Sequence, residues 1–95
     1  MAKRALSATN QQVQVAKYIN NHGSINRYEA DAIGICHLAP RINALKRRGI
    51  NFHWINQIII DSNDFEHKGI RRYWFDYEKM TKEQIETLTK LLGKS

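Results

Sequence analysis

The sequence predicts an α+β fold, mostly helical, with a three-helix core, a β-hairpin and an extra C-terminal helix. Three observations carry the prediction. Apolar residues recur at helical spacing in four short segments, each opened by a capping residue or closed by a glycine. After Gly49 the pattern switches to alternation, and it alternates again around Tyr73, with a polar stretch between the two runs. The whole chain is 95 residues, enough for one domain with one modest core.

The first helix is expected over residues 10–22. Thr9 and Gln12 have the spacing of a capping box, Val13, Ala16 and Ile19 form its apolar stripe, and Gly23 stops it. Ser24 and Ile25 leave room for one rung of strand. Asn26 opens a short second helix with Glu29 as its capping partner; Ala30 and Ile33 are expected inside, and Gly34 ends it. Ile35 and Cys36 then make an apolar turn, with Cys36 expected to be a small buried residue.

The third helix is expected over residues 38–48. Leu38, Ile42 and Leu45 share one face, and with His37 at the N-cap, Pro40 falls in the first turn, where no backbone donor is required. Lys46, Arg47 and Arg48 complement the helix dipole before Gly49 closes it. Ile50, Phe52 and Trp54 then alternate with Asn51, His53 and Ile55 as a strand that continues through the isoleucines at 58–60. Residues 61–69 read as a turn-rich loop, with His67 and Lys68 at its tip. Residues 71–77 read as the return strand, with Tyr73, Phe75 and Tyr77 on one face. Trp54, Trp74, Tyr73 and Phe75 are expected in the core or an interface. Thr81 and Gln84 open a last helix striped by Ile85, Leu88 and Leu92, with Leu91 at its edge.

Charge is distributed unevenly. The formal net charge is +6; residues 1–75 carry 11 Lys and Arg against 5 Asp and Glu, and residues 76–95 carry 4 of each. Residues 32–60 contain no acid but include Arg41, Lys46, Arg47 and Arg48. A one-sided basic surface attracts polyanions, of which nucleic acid is the commonest.

The order helix, short helix, turn, basic helix, hairpin is that of a winged helix-turn-helix. The run from Gly23 through Ala30, then Gly34-Ile35, Leu38, Arg41-Ile42, Leu45 and Arg48-Gly49-Ile50, resembles the helix-turn-helix domain common in small phage and prophage proteins. The resemblance covers residues 11–60, with an aromatic return strand near Tyr73. Ala30 and Gly34 keep the spacing of the shortest helix-turn-helix units, but the following apolar pair is Ile42 and Leu45, about two residues late, as in winged proteins with longer turns. The resemblance implies double-stranded DNA as the partner, a regulatory role as a phage or prophage transcriptional regulator or excisionase-like accessory factor, and a cytoplasmic location in a bacterial host cell.

On a helix that turns 100° per residue, Asn43, Ala44 and Arg47 point away from the Leu38–Ile42–Leu45 face and are the candidates for base contact in the major groove. Asparagine pairs bidentately with adenine and arginine with guanine, and a small alanine admits a thymine methyl. Arg41, Lys46 and Arg48 on the flanks, Arg27 at the start of the second helix, and Lys68 and Arg71 on the hairpin are the candidates for phosphate contact, with Arg72 extending the patch. Tyr28 is expected over the core. Lys3 and Arg4 are expected in a flexible basic N-terminal arm or a solubilising tail.

No catalytic constellation is legible. The four histidines are scattered, none has zinc-ligand spacing to another or to a second cysteine, and no glycine-rich phosphate loop is present. The expectation is a non-enzyme with no cofactor, no metal and no small-molecule ligand. No apolar run reaches the roughly 20 residues of a membrane span, and the single Cys36 suits a reducing compartment. The expected organisation is an arm at 1–8, the domain at 9–77 and a C-terminal helix at 78–95 that packs on the domain or dimerises. Three consecutive isoleucines place apolar side chains on both faces of a hairpin that covers one, which points to a homodimer. The alternative function is a protein-interaction or inhibitor module on the same scaffold, acting on a host factor, with RNA binding as a third reading.

Overall fold

The computed structural model describes residues 8–93, and side chains from Asn10 onward. Lys3, Arg4 and nearly all of the expected arm lie outside the described residues. The element order is α1 (Ala8–His22), β1 (Ile25–Asn26), α2 (Arg27–Ala32), α3 (Leu38–Arg47), β2 (Phe52–Ile60), β3 (Glu66–Phe75), a 3₁₀ turn (Tyr77–Lys79) and α4 (Lys82–Leu91). The α+β winged architecture expected from the sequence is present.

α1 turns Gln12, Val15, Ala16 and Ile19 inward, and Val13 sits at the edge. The stripe is therefore displaced from the expected one, because a glutamine occupies a core-facing position. Gln12 does not act as a cap: its residue is buried and its Oε1 has no hydrogen-bond partner among the described residues. The helix already includes Thr9, whose side chain lies outside the described residues.

Two capping boxes form where the sequence places them. Asn26 Oδ1 accepts from Glu29 N at 2.9 Å while Asn26 N donates to Glu29 Oε1 at 3.0 Å. Thr81 and Gln84 do the same at the start of α4. Each satisfies two of the orphan groups of a helix start. α2 is shorter than its apolar pattern suggests. Ile33 is its C-cap and is exposed, so Ala30 alone faces the core from this helix. Cys36 is also exposed; Ile35 is the buried member of that pair.

Ile25, Ile35, Ile42, Leu45, Ile50 and Val15 are the largest fully buried side chains, in the core where α1 packs on α3 and on the sheet. α4 covers one side of this core with Leu88, while Leu91 and Leu92 pack against it half-buried; Ile85 stays exposed. Asn51 ties α4 down, its Nδ2 donating to Lys79 O at 3.1 Å and to Gln84 Oε1 at 3.3 Å.

The sheet is antiparallel in the order β1-β3-β2, so the single rung at Ile25–Asn26 adds a third strand to the hairpin. The return strand starts at Glu66, five residues earlier than the sequence pattern indicates, and the loop shrinks to residues 61–65. His67 and Lys68 therefore lie within β3 and not at the tip. Tyr77 falls in the 3₁₀ turn and is exposed. The physical reason is a β-bulge. Gln57 faces Ile70 but Ile59 faces His67, so Ile58 stands opposite two residues, Lys68 and Gly69. Gly69 has φ +71°, a conformation glycine adopts without a Cβ clash. The extra residue hides the alternation that would have shown a continuous strand.

Candidate nucleic-acid interface

α3 buries Leu38, Ile42 and Leu45 and exposes Pro40, Asn43, Lys46, Arg47 and Arg48. Ala44 is half-buried on the outward side and Arg41 half-buried on the flank. The Asn43–Arg47 side is open: neither α4 nor the hairpin covers it. Arg41 Nε is buried with no hydrogen-bond partner among the described residues. An arginine left with an unpaired donor is short of an acceptor.

The first turn of α3 opens onto a cleft of about 360 Å³. Its walls are Cys36 to Pro40 on one side, Arg27 from α2, and Gly69 to Arg71 with Tyr73 from β3. His37 is the N-cap of α3 but makes no side-chain cap hydrogen bond, so the backbone donors of the first turn are not satisfied by their own N-cap. The fold thus brings two of the expected phosphate-contact residues, Arg27 and Arg71, to the N-terminal end of the exposed helix. Lys46 and Arg48 sit at the other end of α3, roughly 13 Å further along at 1.5 Å per residue. Lys68 is exposed at the bulge and does not line the cleft.

Both cleft arginines rest on aromatic rings. Arg71 lies 4.3 Å from the centroid of Trp54, and Arg27 lies 5.0 Å from that of Tyr28, with Arg27 Nη2 donating to Tyr28 Oη at 3.3 Å. Stacking holds a guanidinium plane in place while leaving donors free at its rim. Tyr28 therefore lies at the surface, in place of the core role expected for it; of the four residues expected in the core or an interface, Tyr73 and Phe75 are buried, Trp74 is half-buried and Trp54 is exposed. Trp54 stands opposite Tyr73, so Arg71 is its diagonal neighbour two residues along β3, a relation visible only once the hairpin register is known.

Arg72 is not part of the cationic surface. Its Nη1 is 2.8 Å from Glu29 Oε1 and 2.9 Å from Ser24 Oγ, its Nη2 donates to Glu29 Oε2 at 3.3 Å, and its Nε donates to Gln57 Oε1 at 3.0 Å. Strand alternation separates the two arginines, sending Arg71 to the cleft side and Arg72 to the α2 side.

At the hairpin tip, Asp61 organises the turn. Its Oδ1 accepts from Asn63 N at 2.9 Å and Phe65 N at 3.1 Å, and its Oδ2 lies 2.8 Å from His67 Nε2. The His67 hydrogen bond, followed by the Phe65 and Asn63 amides, holds the Asp61 carboxyl below its ordinary pKa. Tyr28 meets His67 edge-on at 5.6 Å, which links the wing to α2.

Among the described residues no group of three or more His, Cys, Asp or Glu is placed to hold a metal ion, and no helix is long and apolar enough to cross a membrane. Comparison with curated proteins gives no match, and neither does comparison with solved structures. Over residues 10–76 the chain matches the sequence model of the winged helix-turn-helix domain, and it belongs to that family.

Proposed function

We propose that this protein binds double-stranded DNA sequence-specifically, with α3 in the major groove, and acts as a transcriptional regulator or an accessory factor of the excisionase kind. Family membership points to DNA binding. The observation that carries the finer reading is the open face of α3, with Asn43 and Arg47 exposed beside a cleft flanked by two stacked arginines. In this reading Asn43, Ala44 and Arg47 meet base edges. Arg41, Lys46 and Arg48 hold phosphates along the helix, and Lys68 holds one from the wing. Arg27 and Arg71 clamp a phosphate at the first turn of α3, where helix-start donors and dipole favour an anion. We further propose that the protein acts as a homodimer, in the reducing cytoplasm of a bacterial cell, with phage or prophage origin.

The test is a titration of a random-sequence duplex and of duplexes enriched by selection on the native protein, each over a range of salt. The reading expects a selected sequence bound at least 10³-fold more tightly than the random one, with log K falling steeply as log salt rises. It also expects Arg47→Ala to lower that ratio. Equal affinity for all duplexes, unchanged by Arg47→Ala, would favour the alternative in which this scaffold engages a protein.

A further inference from the structure

We propose that the free edge of β2 is a self-association interface, at which the strand pairs antiparallel with β2 of a second copy about a two-fold axis at Asn56. This names where two copies of the proposed dimer meet and rests on that reading; it shares Trp54, on which Arg71 stacks, with the proposed phosphate clamp.

β2 lies at the edge of the sheet, with β3 on one side only. Natural edge strands are kept apart by Lys, Pro, bulged backbone or short length. β2 has none of these: it runs nine residues, Phe52–Ile60, without Pro, Lys, Arg, Asp or Glu, and the extra residue of the bulge belongs to β3. β2 itself contributes no Lys or Arg to the approach of two copies of a chain with net charge +6, and the nearest cation, Arg71 on β3, is stacked on Trp54. Four of its apolar side chains are uncovered, with Trp54 exposed to 45%, Ile55 to 49%, Ile58 to 63% and Ile60 to 61%, while Phe52 packs half-buried against the core.

The pattern of the strand is self-complementary in one register. Phe52, Trp54, Asn56, Ile58 and Ile60 share a face, because side chains alternate along the strand. A two-fold axis at Asn56 sets Trp54 against Ile58 of the second copy and Phe52 against Ile60, all apolar pairs of the aromatic–β-branched kind that stabilise sheets. Asn56 then meets only Asn56. Moving the axis one residue either way would set Asn56 against Trp54 or against Ile58. Trp54, Ile58 and Ile60 on that face, with Ile55 on the other, present at most roughly 400 Å² per copy, at about 200 Å² for a fully exposed side chain of this size. That is about half the ~800 Å² per partner of a standard interface. The pairing is accordingly weak and concentration-dependent.

The 95-residue chain tests this without DNA. Sedimentation equilibrium is expected to show a mass rising from 11.1 kDa toward twice that value with concentration. Ile58→Lys should hold the protein at the monomer mass at the same concentrations while its circular dichroism stays native. In a Cys36→Ser background, Asn56→Cys should oxidise to a disulfide-linked dimer, because residues facing each other across antiparallel strands lie within disulfide reach; Ile60→Cys, far from the axis, should not. A native chain that stays monomeric at the highest concentrations would overturn the proposal. So would an Ile58→Lys protein that still dimerises, or equal crosslinking of the two cysteine variants. DNA affinity of the Ile58→Lys protein for a single site is a separate readout, so failure of the interface and failure of the DNA-binding reading are distinguishable.

Discussion

Arg72 on β3 holds both carboxylate oxygens of Glu29, at 2.8 and 3.3 Å, while the same Glu29 closes the capping box on Asn26. One carboxylate thus fixes the start of α2 and locks it to the sheet. Both side chains are less than one-third exposed, so solvent screens the pair only in part. Arg72→Ala is expected to cost about 1–3 kcal/mol, the scale of a charge-assisted hydrogen bond lost at a part-buried site. Urea denaturation checks this. Arg71→Ala, one residue away, should leave stability nearly unchanged and weaken DNA binding.

Base and phosphate roles separate by their signatures. Arg47→Ala should reduce discrimination at one base position by about 1–3 kcal/mol, or roughly 5- to 150-fold. Lys46→Ala and Arg48→Ala should instead weaken all duplexes alike and lower the slope of log K against log salt by about 0.9 each. Anisotropy titrations over a salt series read both quantities.

Gly49 carries φ +97°, and a Cβ placed there would sit 3.2 Å from Gln84 Cγ. Gly49→Ala must therefore adopt a left-handed conformation and push back the side chain that bonds Asn51. A loss of about 1–2 kcal/mol is expected from the backbone conformation alone, measured as a lower midpoint in urea. Gly23→Ala also meets a positive φ but has nothing within 4 Å, so its cost should be the smaller of the two.

The hairpin tip should be sensitive to acid. The pKa of Asp61 is lowered in the fold, chiefly by His67, so its contribution is present above the unfolded carboxylate pKa and is lost as pH falls through the lowered folded value. Amide exchange at Asn63 and Phe65 should therefore lose protection only in that acidic range, well below neutrality. Asp61→Asn should remove this transition.

Much of the scaffold is legible in the sequence because it depends on local chemistry. The capping pairs at Asn26 and Thr81 and the Leu38–Ile42–Leu45 face follow from spacing alone. Pro40 in the first turn follows from the fixed φ of proline. What escapes is set by contacts distant in sequence. The bulge at Gly69 hides five residues of β3, and with them the register that stacks Arg71 on Trp54. Arg72 looks like its cationic neighbour until Glu29, 43 residues away, is seen to pair with it. Ile33 and Cys36 look like core residues because their type is apolar, but the turn after α2 leaves room for Ile35 only. Gln12 shows the converse, a polar residue at a core-facing position that a hydrophobic pattern passes over.

The most direct test of the DNA-facing surface is an amide NMR titration of the protein with its preferred duplex. Docking of α3 in the major groove predicts the largest shift changes at Asn43, Ala44 and Arg47, with a second group at Arg27, His37 and Arg71 around the cleft. Changes confined to β2, the hairpin tip or α4, with α3 unmoved, would contradict it.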